Sequence, residues 1–314
     1  MTIAFVCPGQ GSQHIGMGKE LADAYPQAKA VFDEVDDALG ESLSGLMWGG
    51  DEADLTLTRN AQPALMAASV AAAKALAAEG VDLQSTAAFV AGHSLGEYSA
   101  LAAAGALSIG DAARLLRTRG TAMQEAVSVG DGAMAAILGL TLEQVEEIAA
   151  SAAQGGVCQV ANDNADGQVV VSGHAAAVDR AVEIAKATGA KRALLLPVSA
   201  PFHCALMEPA ADVMRDALNS VQLNAPAMPL ICNVTAAAIT DPTEIQRRLV
   251  EQVTGRVRWR ESVLDMASNG VTHQIEIGAG KVLSGLVRRI DRSIQGLAVG
   301  GPADITAVVE LTAG

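Results

Sequence analysis

Gly92-His93-Ser94-Leu95-Gly96 is a G-x-S-x-G pentapeptide, and its flanks decide whether it can do chemistry. An apolar run at 87–91 reads as a buried strand, and a helical pattern starts near Leu95 and continues to Ala104. A serine in such a strand–turn–helix is a nucleophile elbow: the flanking glycines relieve crowding in a strained turn that lifts the hydroxyl clear. The helix N-terminus beneath Ser94 offers unpaired N–H groups and a positive dipole end where an oxyanion would form. The plain alternative is a glycine-rich turn with Ser94 as a helix cap.

A nucleophilic serine needs a base. Of five histidines, His93 adjoins Ser94 in the turn, so its side chain should point elsewhere. His174 and His273 begin a helix and a strand and read as structural. His203 lies in Val198-Ser199-Ala200-Pro201-Phe202-His203-Cys204, where the chain returns from an inserted segment to line a cleft. If Pro201 starts a helical turn, the dipole end would keep the imidazole neutral, as a general base requires. No acid occupies an obvious third position; Asp212 and Asp265 are possible, and a backbone carbonyl could orient the ring instead. The expectation is therefore a Ser94–His203 dyad.

Arg119 is the third signal. Arg114 and Arg117 share one helical face, whereas Arg119 falls with Leu115, Leu116 and Met123 on the apolar face. An arginine there needs a partner, because an unpaired buried charge costs several kcal/mol. The partner is an internal carboxylate or a substrate's carboxylate held by the guanidinium fork; snorkelling to solvent is the third option. The loop Pro8-Gly9-Gln10-Gly11-Ser12-Gln13 lacks the Gly-Lys-Ser/Thr of a P-loop and the third glycine of a dinucleotide fingerprint. Beside an elbow, it could donate a second oxyanion N–H.

These residues need a scaffold, and the patterning supplies one. Short apolar strands at 3–7, 87–91, 229–233, 273–277 and 297–299 alternate with Ala/Leu-rich helices, the rhythm of a parallel sheet wrapped by helices. Ser108 with Asp111 opens a helix as a capping box. The middle differs: strand 134–138, a Thr141–Gln144-capped helix to Ala153, strands 157–161 and 168–172, a helix from Ala175 closed by Gly189, and strand 193–198. That β-α-β-β-α-β order is the split βαβ of a ferredoxin-like domain. The fold class is α/β: a large domain from 1–130 and 198–314, interrupted by a ferredoxin-like insert at 131–197. The cleft between them is the default site.

Composition removes other classes. The 314 residues carry 35 acidic against 21 basic side chains, a formal charge of −14, which argues against nucleic acid. Half the chain is hydrophobic and 18% charged, a globular balance. No apolar run of ~18 residues is expected to span a bilayer, because Lys74 interrupts the alanine-rich stretch at 67–78. The start lacks the basic segment of a signal peptide, and the four cysteines have no metal-like spacing. A soluble cytoplasmic monomer without metal or cofactor is expected.

PGQGSQ near the start, GHSLGEYSA around Ser94, LLRTRGTAMQ around Arg119, ANDNADGQVVVSG and PVSAPFHCALM occur together in one order and spacing. By these five motifs the chain, from about residue 3 to 300, closely resembles malonyl-CoA:acyl carrier protein transacylases, the stand-alone relatives of polyketide acyltransferase domains. The resemblance implies an α/β-hydrolase-like catalytic domain and ping-pong transfer of malonyl from coenzyme A, through a Ser94 ester, to the phosphopantetheine thiol of acyl carrier protein in fatty-acid synthesis. It implies His203 as base, backbone N–H groups of Gln10 and Leu95 as oxyanion hole, and Arg119 on the malonyl carboxylate. It also places a histidine-orienting carbonyl near Gln252 and Asn162 on coenzyme A or pantetheine. Phe202 stands where many bacterial members have serine, and in the polyketide relatives Phe goes with malonyl over methylmalonyl, a discrimination of about 1–3 kcal/mol for one pocket side chain. An acidic carrier would be repelled by a net negative chain, so docking needs a local basic patch; Lys191 with Arg192, and Arg288, Arg289 with Arg292, are the candidates. The rival activities are a serine thioesterase or hydrolase, polyketide assembly, and a malonate-decarboxylase transferase.

Overall fold

Ile3–Cys7 (β1) is apolar and buried at every position, as a strand covered on both faces must be. The remaining strands, in chain order, are Ala87–Gly92 (β2), Gly132–Leu138 (β3), Cys158–Ala165 (β4), Gln168–His174 (β5), Arg192–Leu195 (β6), Leu230–Ile231 (β7), Ala238–Ile239 (β8), His273–Ile277 (β9) and Gln295–Val299 (β10). In this computed structural model, which describes residues 1–198 and 200–313, β1 lies inside a six-stranded sheet of order β10-β9-β1-β2-β7-β8. Every neighbouring pair is parallel except β7–β8 at one edge. A second sheet, β4-β5-β3-β6, is antiparallel throughout. With the helices Leu142–Ala153 and Ala175–Ala187 it makes the expected ferredoxin-like arrangement. The fold is α/β, a hydrolase-like large domain carrying a small antiparallel one. Ser199 of the PVSAPFHCALM motif lies outside the described residues.

The small sheet has its own apolar core, including Ile137, Val145, Ile148, Val171 and Val178. It meets the large domain along a polar seam. Val257 donates its N–H to Ala161 O at 2.8 Å and accepts from Asp163 N at 3.0 Å, while Arg260 Nε donates to Asp163 Oδ2 at 2.9 Å. This seam explains why β4 runs on to Ala165 instead of ending at 161: the polar Asn162–Asn164 segment, which reads as loop, finds partners on β5 and on Val257.

Two helices set the depth of the site. Thr58–Ala78 is 21 residues long and apolar enough, by length and composition, to cross a membrane, contrary to the expectation from Lys74. Here it is a core helix, with 83% of its most apolar window buried inside the fold. The helix Ile109–Glu125 packs tightly on it at Gly120, where a Cβ would lie 2.6 Å from Thr58 O. That close approach, open only to glycine, brings Arg119 beside Gln62. Ser108 does cap this helix by accepting from Asp111 N, but the Asp111 carboxylate accepts from the Ser108 hydroxyl and not from its backbone N–H.

Other boundaries shift modestly. β7 keeps only two of the five residues expected at 229–233, and β6 spans Arg192–Leu195 instead of 193–198. Leu196, Pro197 and Val198 leave the sheet and line the cleft.

Candidate active site

Ser94 has φ 54°, a left-handed conformation that costs energy for any residue with a Cβ. Its neighbours make the turn possible. A Cβ on Gly92 would sit 1.9 Å from the Gly96 carbonyl carbon, and one on Gly96 would sit 2.3 Å from Cys7 O. Only glycines fit, so β2, the turn and the helix Gly96–Ala103 close into an elbow against the end of β1. Ser94 N donates to Asn233 Oδ1 at 2.8 Å, and Asn233 Nδ2 donates back to Gly92 O at 2.7 Å.

His203 also lies in the left-handed region, at φ 59°. Its Nε2 is 2.7 Å from Ser94 Oγ, and its Nδ1–H donates to the Gln252 carbonyl at 2.9 Å. The carbonyl fixes the tautomer that leaves Nε2 free to accept the serine proton. Burial, and next the Arg119 charge, push the imidazole down to about 3, so it rests neutral. The expected helical turn at Pro201 is not there: a single 3-10 turn starts at Ala205, beyond the histidine, and burial supplies the neutrality assigned to a dipole. Asp212 pairs with Arg215 on a solvent-exposed helix face and takes no part.

Arg119 is 1% exposed, which excludes snorkelling. Its three hydrogen-bond acceptors are neutral: Gln62 Oε1 at 2.9 Å, Gln252 Oε1 at 2.8 Å and Ser94 Oγ at 3.1 Å. Nε is buried without an acceptor. The ring of Tyr98 lies 5.8 Å from the guanidinium. A buried cation that hydrogen-bonds only neutral groups, one of them the nucleophile, and meets the Glu97 carboxylate only through space, is built to receive an anion.

A cavity of about 370 Å³ joins these groups. Gln10, Leu95, Ser94, Arg119, Asn162, Phe202 and His203 all line it. Among the described residues the N–H groups of Gln10 and Leu95 have no hydrogen-bond acceptor, the state an oxyanion hole requires. Met123, Met134, Val170, Leu196 and Val198 form its apolar wall with Phe202. Gln252, grouped by the resemblance with the site, does not reach the cavity: it is fully buried behind it, with its carbonyl on His203 and its side chain on Arg119.

Sequence reasoning missed four groups. His93 does not turn away; it lines the cavity and donates from Nε2 to Asn164 Oδ1 at 2.8 Å, a contact between the elbow and the small sheet. Glu97, 1% exposed, accepts from Asn233 N at 2.9 Å and from Gln252 Nε2. Asn233 and Gln62 complete the buried set. One signal for Glu97 was present, a carboxylate in the first turn of an otherwise apolar helix. His174 and His273 are structural, the former accepting from Val157 N at 2.9 Å.

A family model described as an acyl transferase domain matches residues 4–299. The Bacillus subtilis malonyl CoA-acyl carrier protein transacylase is 48% identical over 98% of this chain and 96% of its own length. An acyl-carrier-protein-S-malonyltransferase from Bartonella henselae superposes with a TM-score of 0.98 at 55% identity, covering 100% of both chains. A malonyl-transacylase solved in complex with a type II PKS acyl-carrier protein is 42% identical, with a TM-score of 0.96 over 99% of this chain and 100% of that one.

Proposed function

We propose that this chain, which belongs to the acyl transferase domain family, moves a malonyl group from coenzyme A to the phosphopantetheine thiol of acyl carrier protein in fatty-acid synthesis. The observation that carries the substrate is Arg119, buried, paired only with neutral acceptors and 3.1 Å from Ser94 Oγ. A free carboxylate on the acyl group would take the Nη2–H now spent on Ser94, and so release the nucleophile as it binds.

His203 Nε2 then takes the Ser94 proton while Oγ attacks the thioester carbonyl. The oxyanion forms against the N–H groups of Gln10 and Leu95. When the tetrahedral intermediate collapses, the C–S bond breaks and the imidazolium returns its proton to the departing thiolate, leaving a malonyl ester on Ser94. The carrier's thiol repeats the steps in reverse, giving its proton to His203 as it attacks the ester. The apolar wall of Met123, Met134, Val170, Leu196 and Phe202 favours a pantetheine arm over water. Phe202 also fills space that an α-methyl group would need. Asn162, at the cleft edge of the small sheet, is assigned to the pantetheine amides.

The acidic carrier meets a basic rim. Arg289 Nη1 donates to Gln168 Oε1 at 3.2 Å, and Leu138 pairs across the small sheet with both Gln168 and Arg192. The two candidate clusters, Lys191 with Arg192 and, through Arg289, that of Arg288, Arg289 and Arg292, therefore converge near one end of that sheet. Gln168 shares a strand face with the cavity-lining Val170. Reversing the charge of Arg288 and Arg289 is expected to slow transfer to the carrier several-fold and to leave acylation of Ser94 intact.

Intact mass after brief exposure to malonyl-CoA, with Ser94→Ala alongside, tests the assignment. A single malonyl adduct, absent from the variant and discharged faster by carrier protein than by water, is the expected result. Free malonate without an adduct would make the protein a hydrolase.

A further inference from the structure

Glu97 touches no substrate-facing surface, yet its carboxylate meets the supports of all three functional groups. Oε1 accepts the backbone N–H of Asn233, whose side chain holds Ser94 N and Gly92 O, the two ends of the strained turn. Oε2 accepts from Gln252 Nε2. The same Gln252 presents Oε1 to Arg119 at 2.8 Å and its carbonyl to His203 Nδ1 at 2.9 Å. Because Nε2 is engaged by the carboxylate, and also by Ser94 O at 2.9 Å, the amide cannot flip, and Oε1 must face the guanidinium.

We infer that Glu97 is a positioning residue, which fixes the elbow through Asn233 and, through Gln252, the orientation of both His203 and Arg119. A packing role would be served by any residue of this size. The positioning role needs two acceptor oxygens, because a glutamine here turns one of them into a donor facing either Asn233 N–H or Gln252 Nε2. The charged or titratable groups around the carboxylate are Arg119 from the Ile109–Glu125 helix, Tyr98 on its own helix and Cys232 after β7.

The inference builds on the transferase reading for Arg119, but the elbow and histidine can be probed without it. Phenylmethylsulfonyl fluoride modifies an activated serine and carries no carboxylate. Glu97→Gln is expected to slow sulfonylation of Ser94 at least tenfold, to slow malonylation by at least as much, and to move the His203 Nδ1 proton resonance, while the unfolding midpoint stays within a few degrees. Gln252→Leu keeps the main-chain carbonyl and removes the amide, and should reproduce these losses; the double variant should lose little more than either single one. If Glu97→Gln fails to fold, Glu97→Asp, which keeps two acceptor oxygens but withdraws them by one methylene from Asn233 and Gln252, carries the test and should show the same losses. Sulfonylation within twofold of the parent and an unmoved His203 resonance in the folded variants would overturn the inference. Slowed sulfonylation with no malonyl adduct even in the parent would instead uphold the positioning role and sink the malonyl assignment.

Discussion

The elbow region and the inserted sheet are buried to a similar depth by different physics. Around the elbow, Glu97, Arg119, His203, Asn233 and Gln252 are polar, at most 4% exposed, and held by directional bonds to one another. The core of the inserted sheet is apolar, with Ile137, Val145, Ile148, Val171 and Val178 as its bulkier members. Hydrophobic burial is non-directional and tolerates swaps of similar volume. A buried polar network does not, since losing one partner strands the other at a cost of about 1–3 kcal/mol. The elbow is therefore where stability has been given up for geometry, visible also in the positive φ of Ser94 and His203. The insert supplies a wall, a seam and a rim.

That contrast should appear as a separation of rate from stability. The largest effect belongs to Ser94→Ala, expected to lower the acylation rate at least about 10⁴-fold with little change in the unfolding midpoint, measured by adduct formation and calorimetry. In the insert, Ile148→Ala is expected to lose about 2–4 kcal/mol of stability in urea titrations and to acylate at the parent rate wherever it remains folded. A large rate loss there would mean that the insert does more than frame the cleft.

The pH response divides the regions next. A histidine lowered to about 3 in the fold but not in the unfolded chain stabilises above the ordinary histidine range. That contribution is lost as pH falls from about 6.5 toward 3, because the unfolded chain binds the proton first. Between pH 7 and 5 the parent should lose about 2 kcal/mol relative to His203→Gln, and its acylation rate should show no limb near 6.5 from this residue. The smallest effect is expected at the contact between the regions: Asn164→Ala removes the acceptor of His93 Nε2 and should slow acylation a few-fold, read from single-turnover rates.

Ser94, His203 and Arg119 were legible because each breaks a local rule: a serine among glycines at a strand end, a histidine where the chain re-enters the large domain, an arginine in an apolar stripe. The strand order of the insert was legible for a similar reason, as its period and turns are local. Glu97 and Asn233 were not: their hydrogen bond joins residues 136 apart, the acidic first turn of an apolar helix also reads as plain dipole complementarity, and Asn233 has no unusual neighbourhood in the chain. Gln62 hides at the polar start of the helix Thr58–Ala78, close behind Arg59 and Asn60, where one more polar residue reads as solvent-facing. The 162–164 segment fell outside the strands expected at 157–161 and 168–172 because it is polar; it pairs with Val169 and Val170 of the neighbouring β5, and one further partner, Val257, lies far along the sequence.

The central claim is that a buried guanidinium with no carboxylate bonded to it selects an acyl group that brings its own. Single-turnover acylation of Ser94 by malonyl-CoA and by acetyl-CoA, in the parent and in Arg119→Ala, tests it most directly. The parent should prefer malonyl strongly; the variant should lose about 10²–10³-fold with malonyl-CoA and keep or raise its acetyl rate. Equal losses with both thioesters would show that Arg119 supports the fold of the site and does not read the carboxylate, and the substrate assignment would fall with it.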